Sequence, residues 1–286
     1  MTKYGKYINI INEETVLEDK LIKEHLADYK INVLNITENG LWRNKKYGHI
    51  LPEILKERNI LASDYYQSII DEIKNKDIKL HPYFHHLNSS QALCFNLFHP
   101  LIVENDLFPI LNRVNKKIEQ NEIIEKYEFE YIEDHRENTN FDLFLKTKNN
   151  INIYFEIKYT ENEFGKEIKD EKHIQKYNTI YKNKLNVFNN VNIDIFLQYY
   201  QIFRNLIYND NGYNIFVFPR DRIDLENSLN EVLNKHCNKN QQEHTIIMYI
   251  ENIVDSILDY DNQKIKDHYK LFMEKYCPNK VRAYCT

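Results

Sequence analysis

The hydrophobic period of this chain changes in its middle, and that change restricts the folds open to it. Residues 126–133 (KYEFEYIE) alternate Tyr127, Phe129 and Tyr131 with Glu128 and Glu130. Residues 141–147 (FDLFLKT) and 151–159 (INIYFEIKY) are also β-like, and Lys148-Asn149-Asn150 between them has the chemistry of a hairpin turn. Together they predict a meander of three strands. The flanking text is helical. Residues 15–29 and 62–75 carry apolar side chains at helical spacing, with Asn39-Gly40 marking a turn between them. Ser89 or Ser90 caps a helix that runs to about Val103 and is disturbed by Pro100. A more polar helix follows near 106–120. Beyond the strands come helices at about 166–184 and 193–207, a short strand at 213–218, and C-terminal helices. Strands in the middle with helices around them predict an α/β (α+β) layer architecture on one central sheet. By region, 1–80 reads as mainly helical, 81–220 as the core, and 221–286 as helical and packed on it.

Composition narrows the chemistry. The chain has 5 glycines and 6 prolines but 38 asparagines, and asparagine tolerates the left-handed backbone that turns otherwise take from glycine. No G-x-G-x-x-G or G-x-x-x-x-G-K-[ST] is present, which excludes the glycine-loop nucleotide sites. With 38 basic and 43 acidic residues the net charge is −5. That argues against coating nucleic acid by bulk charge, while leaving room for a local basic groove beside an acidic metal site. The four cysteines form no C-x-x-C pair, and 286 residues need no disulfide framework, so reduced thiols in the cytoplasm are expected. No apolar run approaches a membrane span, and the first 20 residues lack a signal-peptide core.

The segment that carries chemistry is Asp142 followed by Glu156-Ile157-Lys158. Residues two apart on a strand share a face, so Glu156 and Lys158 project together. If 141–147 and 151–159 pair as a hairpin, Asp142 comes beside Glu156. Two close carboxylates favour a hard divalent cation, and Mg²⁺ takes one or two carboxylates plus waters and phosphate oxygens. An ammonium two residues on can hold a water and stabilise charge on a phosphate. Three other E-x-K tripeptides (Glu18–Lys20, Glu72–Lys74 and Glu167–Lys169) lie in helix-like text and read as solvated charged faces. Strand context and the upstream aspartate separate Glu156/Lys158 from them.

Asp142-x13-Glu156-x-Lys158, within TNFDLFLKTKNNINIYFEIKYTENEFG, resembles the core of the PD-(D/E)xK nuclease superfamily. The blocks KYGHILP (46–52), SSQALCFNLFHPL (89–101), FEIKYTENEFG (155–165) and QYYQIFRN (198–205) resemble, in order, a bacterial family of restriction endonucleases. The resemblance implies a mixed central sheet flanked by helices, and Mg²⁺, with Mn²⁺ as a substitute. It further implies Asp142 and Glu156 as metal ligands and Lys158 as the catalytic lysine of an endonuclease cutting double-stranded DNA. Phe141 stands where the motif has proline. A homodimer would suit symmetric cutting of a palindromic site, and a cognate DNA methyltransferase would be encoded nearby. Two alternatives stay open: a structure-specific or defence nuclease without fixed sequence, and a non-catalytic DNA-binding protein on the same fold.

Further acids at the site could be Glu128 or Glu130, and Glu161; Gln91 could face it from the preceding helix. For DNA contact, Lys172, Lys176, Lys182 and Lys184 lie in an acid-free stretch with interleaved tyrosines, and Gln198, Gln201 and Arg204 follow. Arg43, Lys45 and Lys46 beside Trp42 form a second small basic patch. His81, His85 and His86 with Cys94 match no standard zinc spacing, and the adjacency of His236 and Cys237 does not make a nucleophile pair.

Overall fold

A computed structural model describes residues 19–107, 110–111, 123–137, 140–208, 212–258 and 261–278. Most of the helix expected near 106–120 lies outside them. The chain opens with helix α1 (19–32), the hairpin strands β1 (Gly40–Trp42) and β2 (Lys45–Tyr47), and helices α2 (Tyr66–Asn75) and α3 (Ser90–Val103). Region 1–80 thus holds a hairpin among its helices. Asparagine does take the turns: Asn35, Asn44, Asn105, Asn150 and Asn190 have positive φ, and no described glycine does. Gly40 serves otherwise than in the expected turn. It opens β1 where a Cβ would lie 2.0 Å from the Leu51 carbonyl oxygen, and Arg43 and Asn44 (φ 48° and 63°) turn the hairpin.

The central sheet has the order β3 (Ile124–Tyr131), β4 (Phe141–Thr147), β5 (Asn152–Ile157), β6 (Gly212–Phe218), β7 (Thr245–Tyr249). The first three strands are the antiparallel meander, and β5, β6 and β7 are parallel, so the sheet is mixed. The helices between parallel strands are α4 (Glu171–Lys176), α5 (Ile193–Gln198) and α6 (Tyr200–Leu206), then α7 (Ile223–His236) and α8 (Lys239–Glu243). Helices α9 (Ile250–Leu258) and α10 (Gln263–Tyr276) close the described chain. Three sequence expectations need correcting. Region 221–286 is not only helical, because Thr245–Tyr249, a run rich in β-branched residues, adds the edge strand β7. The helix expected at 166–184 begins only at Glu171, capped by the Asp170 side chain, and loosens into a π turn at Tyr177–Tyr181. The helix expected at 193–207 breaks at Tyr199 (φ −117°, ψ 38°).

Alternation on the strands divides the core. Leu143, Phe155, Ile157, Ile215 and Val217 pack with α3, α9 and α10 on one face; Phe216 and Phe218 pack with Phe196, Phe203, Leu225 and Leu229 on the other. Phe98 of α3 meets Phe155 with ring centroids 4.9 Å apart. Pro100 does not end α3. It withholds the N–H that would bond the Asn96 carbonyl, and His268 of α10 supplies a ring nitrogen to that oxygen at 2.7 Å. The other ring nitrogen of His268 meets the Ser63 hydroxyl at 2.7 Å, so the neutral ring donates to Asn96 and accepts from Ser63. Burial lowers His268 and His99 to about 4 each. Their neutral forms are therefore favoured by folding. That stability is complete above the ordinary histidine value of 6.5 and is lost as pH falls from there through about 4. Each histidine is expected to contribute on the order of 3 kcal/mol across that window. Urea unfolding at pH 7 and pH 5 checks this: His268→Gln should unfold with a flatter pH dependence than the parent, and an unchanged slope would refute the assignment.

Candidate active site

The register of the meander builds the site. Leu143 pairs with Phe155, so one step on Asp142 faces Glu156 across β4 and β5. Phe129 pairs with Leu143 and Tyr131 with Phe141, so Glu130 faces Asp142 across β3 and β4. Three carboxylates thus stand in a row over three adjacent strands. Glu156 is the last residue but one of the parallel strand β5, and the carboxyl ends of parallel strands are where open α/β sheets place their ligands. Lys158 follows at once, its backbone N–H bonded to the Val217 carbonyl at 2.8 Å.

Each member of the row is held. Asp142 Oδ2 accepts the Ile157 N–H at 2.6 Å. Glu156, 5% exposed, accepts from Gln201 Nε2 at 2.5 Å on Oε1 and from Asn205 Nδ2 at 2.9 Å on Oε2. Lys158 Nζ lies 3.1 Å from Glu156 Oε1. Glu130 accepts from Gln91 Nε2 at 2.7 Å and Asn140 Nδ2 at 2.8 Å. Its φ is +55°, a left-handed backbone that costs a glutamate about 1–2 kcal/mol and marks a constrained position. Glu128, two residues back, pairs with Phe144 in register, forms an ion pair with Lys126 at 3.0 Å, and does not line the cavity. Of the two sequence candidates, Glu130 joins the row. Glu161 also reaches the cavity, its Oε2 accepting the Tyr159 N–H at 2.7 Å.

The electrostatics follow from burying like charges. Burial, then the charges of Glu156 and Glu130, push the Asp142 carboxyl well above its ordinary value. Burial also raises Glu130, against the hydrogen bonds of Asn140 and Gln91. For Lys158 burial pulls the other way, but Glu156, Glu161 and Asp142 outweigh it and hold the ammonium above its usual value. Hard oxygen donors crowded into one row suit a hard divalent cation. Among the described residues no three acid, histidine or cysteine side chains close a cage, so the fit is to an open site in which one or two carboxylates leave positions for water and phosphate. Asp142 and Glu156 are the residues that would hold it.

A cavity of about 850 Å³ opens over the row. Its lining combines Glu130, Asp142, Glu156 and Glu161 with Lys23, Lys79, Lys158 and Arg204. Gln91 and Gln201 line it as well, whereas Gln198 is turned out to solvent by the break at Tyr199. The four lysines of 172–184 do not come to the cavity. Lys172 and Lys182 are exposed, Lys176 donates to the Glu137 carbonyl at 3.0 Å, and Lys184 pairs with Asp134 at 3.4 Å over the Tyr208 ring. Sequence reasoning missed Asn205 and Asn140. The first had a readable signal, since Gln201 and Asn205 are four apart on one helix face; the second depends on a loop. Cys94 is buried on α3 with its thiol on the Asp142 carbonyl at 3.6 Å.

Residues 23–277 match the family model described as Restriction Endonuclease associating with ARP. The chain belongs to that family. The matched span takes in the whole sheet and every cavity residue named above. No curated protein and no solved structure matches the chain. Among the described residues no helix of this restriction-endonuclease family member is long and apolar enough to cross a membrane.

Proposed function

We propose that this chain is a Mg²⁺-dependent endonuclease, able to use Mn²⁺, that cuts double-stranded DNA at a specific sequence. The observation that carries the reading is the register that sets Asp142 opposite Glu156 with Lys158 3.1 Å from Glu156, in a member of a restriction-endonuclease family. A cation held by Asp142 and Glu156 would supply Lewis-acid polarisation of the scissile phosphate and acidify water. The remaining work falls to the chain. Gln201 and Asn205 fix both oxygens of Glu156, leaving its orientation no freedom. Lys158, 3.1 Å from Glu156, is placed to position or activate the attacking water and to stabilise charge on phosphorus. Water oxygen bonds to phosphorus in line as the opposite P–O bond breaks, the attacking water giving up its proton to solvent and the leaving oxygen taking one from solvent. Lys23, Lys79 and Arg204 draw the DNA backbone over the row.

The proposal extends to a cytoplasmic homodimer whose twofold axis matches a palindromic site, with specificity or dimer contacts from regions 1–80 and 221–286. It includes a methyltransferase of matching specificity and the association with ARP that the family description names. Unmethylated plasmid incubated with the protein and Mg²⁺ should yield discrete fragments; a smear would move the reading to a nuclease without fixed sequence, and intact plasmid would sink it. Glu130 and Glu128 separate in the same assay. Glu130→Gln is expected to slow cleavage about 10–100-fold, as loss of a group supporting a metal site does. Glu128→Gln should cut at the parent rate, and the reverse ranking would refute the assignment.

A further inference from the structure

Beyond the cavity, the hairpin β1–β2 is a cationic exposed feature that the catalytic reading leaves unused. From Gly40 to Ile50 the chain has no acidic residue, and Arg43, Asn44, Lys45 and Lys46 at its tip are all exposed. Among the described residues no carboxylate forms an ion pair with Arg43, Lys45 or Lys46, although most exposed lysines around the fold have one. The Arg43 guanidinium lies 4.6 Å over the Trp42 ring, an arrangement that keeps a planar fork extended and its donors free. Leu41 is 56% exposed beside it.

The hairpin is anchored to the cavity wall. Ile50 bridges to His86, Leu51 N–H bonds the His85 carbonyl at 3.0 Å, and Leu87 N–H bonds the His49 carbonyl at 3.0 Å. The fully buried Lys30 reaches the Glu38 carbonyl at 2.7 Å and the Asn39 side chain at 2.5 Å, fixing the strand that enters the hairpin. Trp42 packs edge-on against His86, and His86 lines the cavity above the carboxylate row. A second depression of about 550 Å³, flanked by Tyr47 and His49, shares Lys23 with the cavity.

We infer that this hairpin is a DNA-contact element: its tip engages phosphates of the duplex flanking the scissile bond. The inference rests on the nuclease reading for its substrate and adds where the duplex runs. Unpaired cations on a two-stranded ribbon match a polyanion whose major groove admits such a ribbon. The rigid anchoring keeps the cost of ordering low.

The test measures binding of a fluorescent 30-base-pair duplex across a series of NaCl concentrations, in EDTA so that no cutting competes. Compared with the parent, the variant Arg43→Ala/Lys45→Ala/Lys46→Ala should bind at least about tenfold more weakly, with the log–log salt slope reduced by about 2–3. The variant Lys235→Ala/Lys239→Ala/Lys270→Ala, which removes the same charge from side chains already paired with carboxylates, should keep the parent slope. Parent affinity and slope in the hairpin variant would overturn the inference, as would an equal loss in both variants. Plasmid cleavage in Mg²⁺ by the same preparations separates the failures. If the parent cuts and the hairpin variant binds like it, only the hairpin assignment falls; a parent that neither binds nor cuts removes the nuclease reading and this inference together.

Discussion

Asp142→Asn is expected to reduce DNA cleavage by about 100- to 1000-fold, the scale lost when an electrostatic group is removed from a preorganised site, without lowering the melting temperature in chelator. The asparagine keeps an oxygen for the Ile157 N–H. It removes a carboxylate that burial and the neighbouring charges of Glu156 and Glu130 place at a disadvantage. A structural aspartate would behave oppositely, losing stability while activity followed only as folded protein was lost. Glu156→Gln and Lys158→Ala should share the loss of activity, and the three should not add, since each disables one unit. Rates from plasmid nicking beside thermal melts of the same samples make the comparison. A destabilised Asp142→Asn that still cuts at the parent rate would contradict the assignment.

Arg222→Ala is expected to cost about 3–5 kcal/mol of stability, the range for breaking a buried charge pair from one side. Arg222 is fully buried and donates to the Tyr159 carbonyl at 3.2 Å, to the Glu161 carbonyl, and to Asp224 at 2.9 and 2.7 Å. It therefore clamps the residues that follow Lys158, the stretch that sets where Lys158 and Glu161 point. Arg222→Lys should not rescue, because a lysine cannot serve two carbonyls and a carboxylate in one plane. Urea denaturation of the three proteins reads the effect, and a loss under 1 kcal/mol in Arg222→Ala would show that the clamp is not needed.

The meander and its acids were legible because strand text fixes both spacing and facing. Phe141–Thr147 and Asn152–Ile157 lie where alternation and the Lys148–Asn150 turn set them, and the hairpin register then leaves Asp142 only one partner row. Glu130 was not separable from Glu128 by pattern, since both fall on the same parity. The choice depends on a left-handed backbone at Glu130 and on Gln91 and Asn140 reaching it from elsewhere. The lysines of 172–184 stand away from the cavity, which pattern could not show for a related reason. Composition marks them as basic, but Lys176 and Lys184 meet acceptors some 40 to 50 residues away in sequence, and no local rule carries such a partner. Arg222 likewise reads as an ordinary surface arginine until the fold brings Tyr159 and Glu161 to it.

The most direct test compares the purified protein with Lys158→Ala on supercoiled plasmid, each with Mg²⁺ and each with EDTA. The carboxylate row and its ammonium predict cleavage by the parent in Mg²⁺ alone, and none above background by Lys158→Ala in either buffer. Equal cleavage by the two proteins, or cleavage by the parent that persists in EDTA, would contradict it.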